Sequence, residues 1–180
     1  TDEIATGLEK FAAIADTVGL SFDYATAALA TVTAETRQSA EVVGTAFKTM
    51  FARIQDLELG ETLEDGVTLG SYSEALAKIG VSVLDANGGM REMDDILEDM
   101  GAKWNTLSQA QKVATAEAVA GTRQYTQLVA LMDNWDVFKD NLNTAANATG
   151  TLNEQQKIYM ESTRAHLDQL SASAERLYKS

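Results

Sequence analysis

Twenty-seven carboxylates in a chain of 180 residues guarantee that some lie within reach of one another. The densest group is Asp94, Asp95, Glu98 and Asp99. Asp95 and Glu98 stand three residues apart, on one helix face, and Asp94 and Asp95 are adjacent. Either pair has the residue types for general acid and base work. The competing reading is a solvated helix start, where carboxylates stabilise the positive end of the dipole. No hydrolase motif surrounds either pair, so the structural reading is preferred. The single histidine, His166, cannot make a His-rich metal site, and there is no Cys to join it. The other ligands would have to come from Glu161 to Asp168 on the same helix. A surface or seam position is expected for it. A Ser-His-Asp triad needs a strained nucleophile turn, and no such motif is present. Asp85-Ala-Asn87-Gly88 begins like a calcium loop, but Gly89 holds the fifth position, Met90 the place of the required glycine and Ile96 that of the terminal glutamate. Gly88 and Gly89 lie in no Walker A pattern. Trp104, Tyr125, Trp135, Phe138 and Tyr159 recur at helical spacing, which makes them core positions before it makes them a groove for a partner helix. No catalytic, cofactor-binding or metal-binding residue is assigned, no cofactor is expected, and the chain is expected not to be an enzyme.

The elements that position these residues read as helices. Ile4, Leu8, Phe11, Ala12, Ile14 and Ala15 form one face of a first helix over residues 3–18, stopped by Gly19. Ser21 caps a second, with Asp23 in its first turn. A third opens near Ser39 and buries Val42, Val43, Ala46, Phe47, Met50, Phe51 and Ile54. Short loops between the three predict antiparallel neighbours. Residues 57–70 are acidic and punctuated by Gly60, Gly66 and Gly70, the composition of a surface loop. Ser71 and Glu74 are spaced as a capping box for a short helix that Gly80 ends. Val81 to Glu92 predict a β-hairpin, with Asn87-Gly88 as a type I′ turn. A helix over residues 94–105 carries Ile96, Leu97, Met100 and Trp104. Ser108 with Gln111 opens another, which Gly121 ends, and residues 122–148 continue as helix. Thr151 with Glu154 starts the last, whose Met160, Thr163, Leu167, Leu170, Ala174 and Leu177 alternate four and three apart like a short coiled-coil seam.

The fold class expected is therefore mainly α: several short antiparallel helices, one small β-hairpin near 81–92 and a long C-terminal helix. Two units are expected, a helical core module with the hairpin over 1–150 and the start of a coiled-coil-like helix over 151–180. Composition agrees, since not one proline interrupts the chain. A net charge of −13 sets the chain against DNA phosphates and anionic lipid, so direct nucleic-acid binding is not expected. No apolar run approaches the roughly 20 residues that span a bilayer. Thr1 follows no Met and no basic region, so no signal peptide is expected, and the pattern reads as a piece of a longer protein.

Several blocks carry more than pattern. Tyr72-Ser-Glu-Ala-Leu-Ala-Lys-Ile-Gly80 followed by Val81-Ser-Val-Leu-Asp85-Ala-Asn-Gly-Gly-Met90-Arg-Glu-Met-Asp-Asp95-Ile-Leu97 resembles the core of phage tail tape-measure proteins. Ala118-Val-Ala-Gly-Thr-Arg-Gln-Tyr125 with Leu128 to Trp135 is similar to a second block of that family. Gly19-Leu-Ser-Phe-Asp23, Thr36-Arg-Gln-Ser39 and Gly44 to Arg53 resemble an upstream one. The resemblance covers roughly residues 4–145. It implies a virion protein extended in the lumen of the tail tube, host-cytoplasmic during assembly, that sets tail length and leaves ahead of the genome. It implies as partners other copies of the chain in a small oligomer, tail tube and tail tip proteins, and tail assembly chaperones. The competing classes are a bacterial helical interaction or secretion-associated protein, and a cell-wall hydrolase module. The first would lack these blocks, and the second would need a catalytic glutamate in a recognisable surround.

Overall fold

The computed structural model describes residues 2–147 and residue 161. Seven helices follow one another among the described residues: α1 (Asp2–Thr17), α2 (Phe22–Thr36), α3 (Ala40–Glu58), α4 (Leu69–Ala77), α5 (Met93–Trp104), α6 (Gln109–Asp133) and α7 (Trp135–Asn147). Their starts are set by short polar side chains. Ser21 accepts a hydrogen bond from the Tyr24 backbone N–H, Ser39 from that of Val42, and Ser108 forms a reciprocal capping box with Gln111. Each satisfies a donor that the first turn of a helix leaves without a partner. At α4 the box belongs to Thr68 and Ser71 instead of Ser71 and Glu74, so the helix begins three residues early, inside the stretch expected to be loop.

The largest packing surface joins α1 to α3. The carboxylate of Glu3 accepts from the Ala40 N–H, Gly7 lies against Ala40 and Gly44, and the Phe11 ring meets Phe47 edge-on at 5.3 Å and Phe51 at 6.1 Å. The two residue numberings rise together, so α1 and α3 run parallel and α2 runs back from one to the other. The antiparallel expectation for chain neighbours therefore misses the principal contact. α2 is rich in small residues and buries Ala25, Ala27, Ala28, Leu29, Thr31 and Val32, which lets it pack on α1, α3, α6 and α7 together. Of Val42 and Val43, both expected inside, Val42 is half exposed and Val43 is buried.

The β-hairpin expected near 81–92 does not form. No strand occurs among the described residues, and one antiparallel pair, Leu84 with Met90, is all that bridges the segment. Val81 and Val83 are each 1% exposed: they fill the helical core, and two such short strands have little stability alone. The turn also differs in kind. A type I′ turn needs positive φ at both Asn87 and Gly88, and of the two only Gly88 has it. Asp85 accepts from the Asn87 and Gly89 N–H groups through its side chain and from Gly88 through its carbonyl, which closes a three-residue loop. That loop delivers the chain to the start of α5, where the N–H groups of Met93 and Asp94 donate to the carbonyls of Val18 and Gly19.

The helical stretch expected over 122–148 is interrupted at Asn134, where α6 passes into α7. Gly121, with φ 78° and ψ 168°, ends a helical run as the sequence suggests, and a second run starts on the next residue, so α6 is two helices meeting at a kink. The last helix expected, with the heptad seam, the Thr151–Glu154 box, Tyr159 and His166, falls outside the described residues apart from residue 161.

Candidate functional site

The carboxylates of α5 are brought together as the sequence suggests, and Asp94, Glu98 and Asp99 are each bound to a partner. Glu98 accepts from Lys139 on α7 at 2.7 Å and from the Tyr24 hydroxyl on α2. Partial burial pushes its carboxyl up, but these two hydrogen bonds outweigh that and hold it below the usual glutamate value. The Tyr24 phenol is raised in turn, by burial first and by Glu98 second. Asp94 accepts from the Ser21 N–H at 3.0 Å; burial raises its carboxyl despite that bond. Asp99 pairs with Arg91 at 2.8 Å, and Arg91 also donates to the Ser82 carbonyl. Asp95 is exposed. The group is a set of ties from α5 to α2, α7 and the 82–91 loop, and no carboxylate pair is left facing a substrate.

Glu98 gives this arrangement a pH signature. A carboxyl held low in the fold contributes stability that is present above its ordinary value of 4.5 and is lost as pH falls through the folded value. Asp94 has the opposite sign, since its ionised form is the one the fold disfavours. Urea midpoints measured from pH 6 down to pH 2.5 are expected to fall less steeply for Glu98→Gln than for the parent chain. The difference should stay under about 1 kcal/mol, because the ion pair is partly exposed. Equal slopes would remove Glu98 from the acid limb.

Other polar groups act as ties across long sequence separations. The Trp104 indole N–H donates to Asp133 at 2.7 Å, and Lys112 sits 3.8 Å from the same carboxylate and 5.7 Å from the Trp104 ring centre. Gln127 donates to Gln38 and Asn141 to Thr31, which ties α6 to the turn after α2, and α7 to α2. None of these pairs has a local sequence signal, because the partners are joined by the fold and not by spacing.

A groove of about 760 Å³ runs between α3, the loop before α4 and the bend of α6. Lys48, Arg53 and Arg123 line it together with Asp56, Glu64 and Asp65, so its charge is mixed. Arg53 lies at its base, its side chain 13% exposed, and donates to Asp65 at 2.7 Å and to the Ala118 carbonyl at 3.4 Å. Asp65 also accepts from the Val67 N–H. Partial burial raises its carboxyl, and the bonds from Arg53 and Val67 prevail and lower it. Two of the hydroxyls that line the groove, those of Thr45 and Thr49, donate back to the carbonyls of Glu41 and Thr45 in their own helix. In the loop that begins like a calcium site, Asp85 turns its oxygen onto the Asn87 and Gly89 N–H groups. Among the described residues no three His, Asp or Glu side chains group to hold a metal, and no helix is long and apolar enough to cross a membrane.

These contacts hold helices to one another. The family model described as phage-related minor tail protein matches residues 1–121, from the first helix through the Gly80 to Leu97 block to the bend of α6. No solved structure matches the chain. With two thirds of its length matched, this mainly helical chain belongs to the phage-related minor tail protein family and has a structural role in a phage tail.

Proposed function

We propose that the chain is a segment of the tape-measure protein of a long-tailed phage or prophage, acting in tail length determination, tail assembly and genome ejection, and that it is not an enzyme. The observation that carries this is the tail-protein family match over the same residues that hold the tape-measure-like blocks at 72–97. The chemistry is compatible. A helix advances by about 1.5 Å per residue, so helical length is a dependable ruler. A surface with net charge −13 repels a passing genome and does not retain it. In this reading residues 1–150 form a folded module and residues 151–180 begin a ruler-like helix. The partners are further copies of the chain, tail tube and tail tip proteins, and assembly chaperones, and the location is the tube lumen.

The test is a set of in-frame deletions and duplications in helical parts of the parent gene, with tails measured by electron microscopy. Tail length should change by about 1.5 Å for each helical residue removed or added. Tails of unchanged length would take the ruler role away from the altered segment. Purified chain should release nothing from peptidoglycan; sustained turnover would overturn the non-enzymatic reading.

A further inference from the structure

Asn87-Gly88 is the single Asn-Gly pair in the sequence. The fold does not use it as a strand-to-strand turn, and both residues stand exposed in the loop between Leu84 and Met90. Asparagine is a heat-labile residue, because the backbone nitrogen that follows it can attack its carboxamide. A glycine in the next position has no side chain to hinder that attack. The surroundings are open as well: a Cβ added at Gly88 would have no neighbour within 4 Å. Among the described residues, Asn87 is held through its backbone N–H and not through its carboxamide.

The loop meanwhile holds the nucleophile back. The Gly88 N–H donates to the Asp85 carbonyl at 3.1 Å. The N–H groups on either side of it, those of Asn87 and Gly89, donate to Asp85 Oδ1 at 2.8 and 3.0 Å. Attack needs the Gly88 nitrogen to lose its proton and turn toward Cγ of Asn87. A proton held in a hydrogen bond is harder to lose, and a carboxylate nearby opposes the negative charge that its loss creates. The restraint is local. The bonds to the Asp85 side chain lie in exposed loop, where opening costs far less than unfolding, while Val83 and Met93 on either side are buried and stay anchored.

We propose that Asn87 is a self-modification site, at which the Gly88 nitrogen closes onto the Asn87 side chain when the loop opens, and that Asp85 slows the reaction by holding the loop shut. A bond forms between the Gly88 nitrogen and Cγ of Asn87. The N–H proton passes to solvent, and the side-chain nitrogen takes up a proton and leaves as ammonia. Water then opens the resulting succinimide. Cleavage at Cγ gives aspartate, and cleavage at the Asn87 backbone carbonyl gives isoaspartate. Either product adds a negative charge beside Asp85. Isoaspartate also lengthens the backbone by one methylene, so the three N–H groups no longer converge on Asp85.

The test is a time course of the full 180-residue chain at near-neutral pH, folded and in urea, read by mass spectrometry of the tryptic peptide 79–91, with isoaspartate counted by an isoaspartyl methyltransferase. The mass gain of an amide turning into an acid is expected at Asn87 before any other asparagine, several-fold slower in the folded chain than in urea. Asp85→Ala should bring the folded rate several-fold closer to the urea rate with helical circular dichroism kept. Asp85→Asn, which retains an acceptor oxygen and loses the charge, should fall between. A folded chain whose Asn87 stays an amide long after the urea sample has converted overturns the site. Equal rates in the folded and urea samples overturn the restraint without reference to any variant, and so does a folded Asp85→Ala chain that converts no faster than the parent.

Discussion

Trp104→Ala is expected to be the most damaging truncation among the described residues. Among the described residues Trp104 is the largest fully buried side chain, closing α5 against α6 with its indole N–H bonded to Asp133. Removing it forfeits the transfer energy of the ring and leaves a cavity that helices on both sides only partly fill, a loss of about 3–5 kcal/mol. In a chain of this size that lowers Tm on the order of 10 °C. Trp104→Phe separates the two contributions. It keeps most of the packing and removes the donor to Asp133, which is half exposed and regains water, so about 1–2 kcal/mol is expected. Calorimetric scans of both variants check this. A Trp104→Ala chain within 1 kcal/mol of the parent would mean that the ring is not enclosed.

Gly44 is the second position of large effect, and there the sign is the diagnostic. Glycine inside a helix is ordinarily about 1 kcal/mol worse than alanine, so alanine at an open helical glycine stabilises. Gly70 in α4 is such a site, with nothing nearer to an added Cβ than the Thr68 hydroxyl at 3.7 Å. At Gly44 an added Cβ would meet the Gly7 carbonyl oxygen well inside van der Waals contact, and at Gly7 it would meet the backbone of Ala40. Backbone cannot swing aside as a side chain does. Gly44→Ala is therefore expected to destabilise by about 1–3 kcal/mol despite its better helix propensity, while Gly70→Ala is neutral or stabilising. Gly44→Leu should force α1 from α3, part the Phe11–Phe47 contact and cost more still. Urea denaturation of the three variants decides the matter, and stabilisation by Gly44→Ala would show that the two helices do not meet backbone to backbone.

Both predictions turn on contacts that no local pattern announces. Ser21, Ser39 and Ser108 are legible as caps because a cap joins a side chain to an N–H three residues on. The Ser71 box was misplaced for the same reason: Thr68 offers the same chemistry three residues earlier, and local spacing does not rank the two. Phe11, Met50, Ile54 and Trp104 are legible as core because their spacing keeps them on one face of a helix. That spacing marks a face as apolar and leaves its partner open. Hence the parallel seat of α1 on α3 was not foreseen. Val81 and Val83 misled differently. Their alternation suits a strand, yet it also suits an extended segment that pins two side chains into a helical core, and with no neighbouring strand to supply hydrogen bonds the second outcome prevailed.

The candidate chemistry divides in the same way. That Asp94, Asp95 and Glu98 crowd one helix start was plain from their order. That Glu98 is spent on Lys139 and Tyr24, 41 and 74 positions away, depends on three helices meeting. Arg53 had no motif at all, and its place between Asp65 and the bend at Gly121 exists only in the folded chain.

By itself the sequence determined that the described residues are mainly helical, where most of these helices begin and stop, and for most of them which side turns inward. Those properties arise within a few residues, from caps, glycines and a 3.6-residue period. Only the tertiary structure decided which helices meet, which charges are paired and how α6 bends, because these depend on backbones and side chains far apart in the chain approaching within a few ångströms.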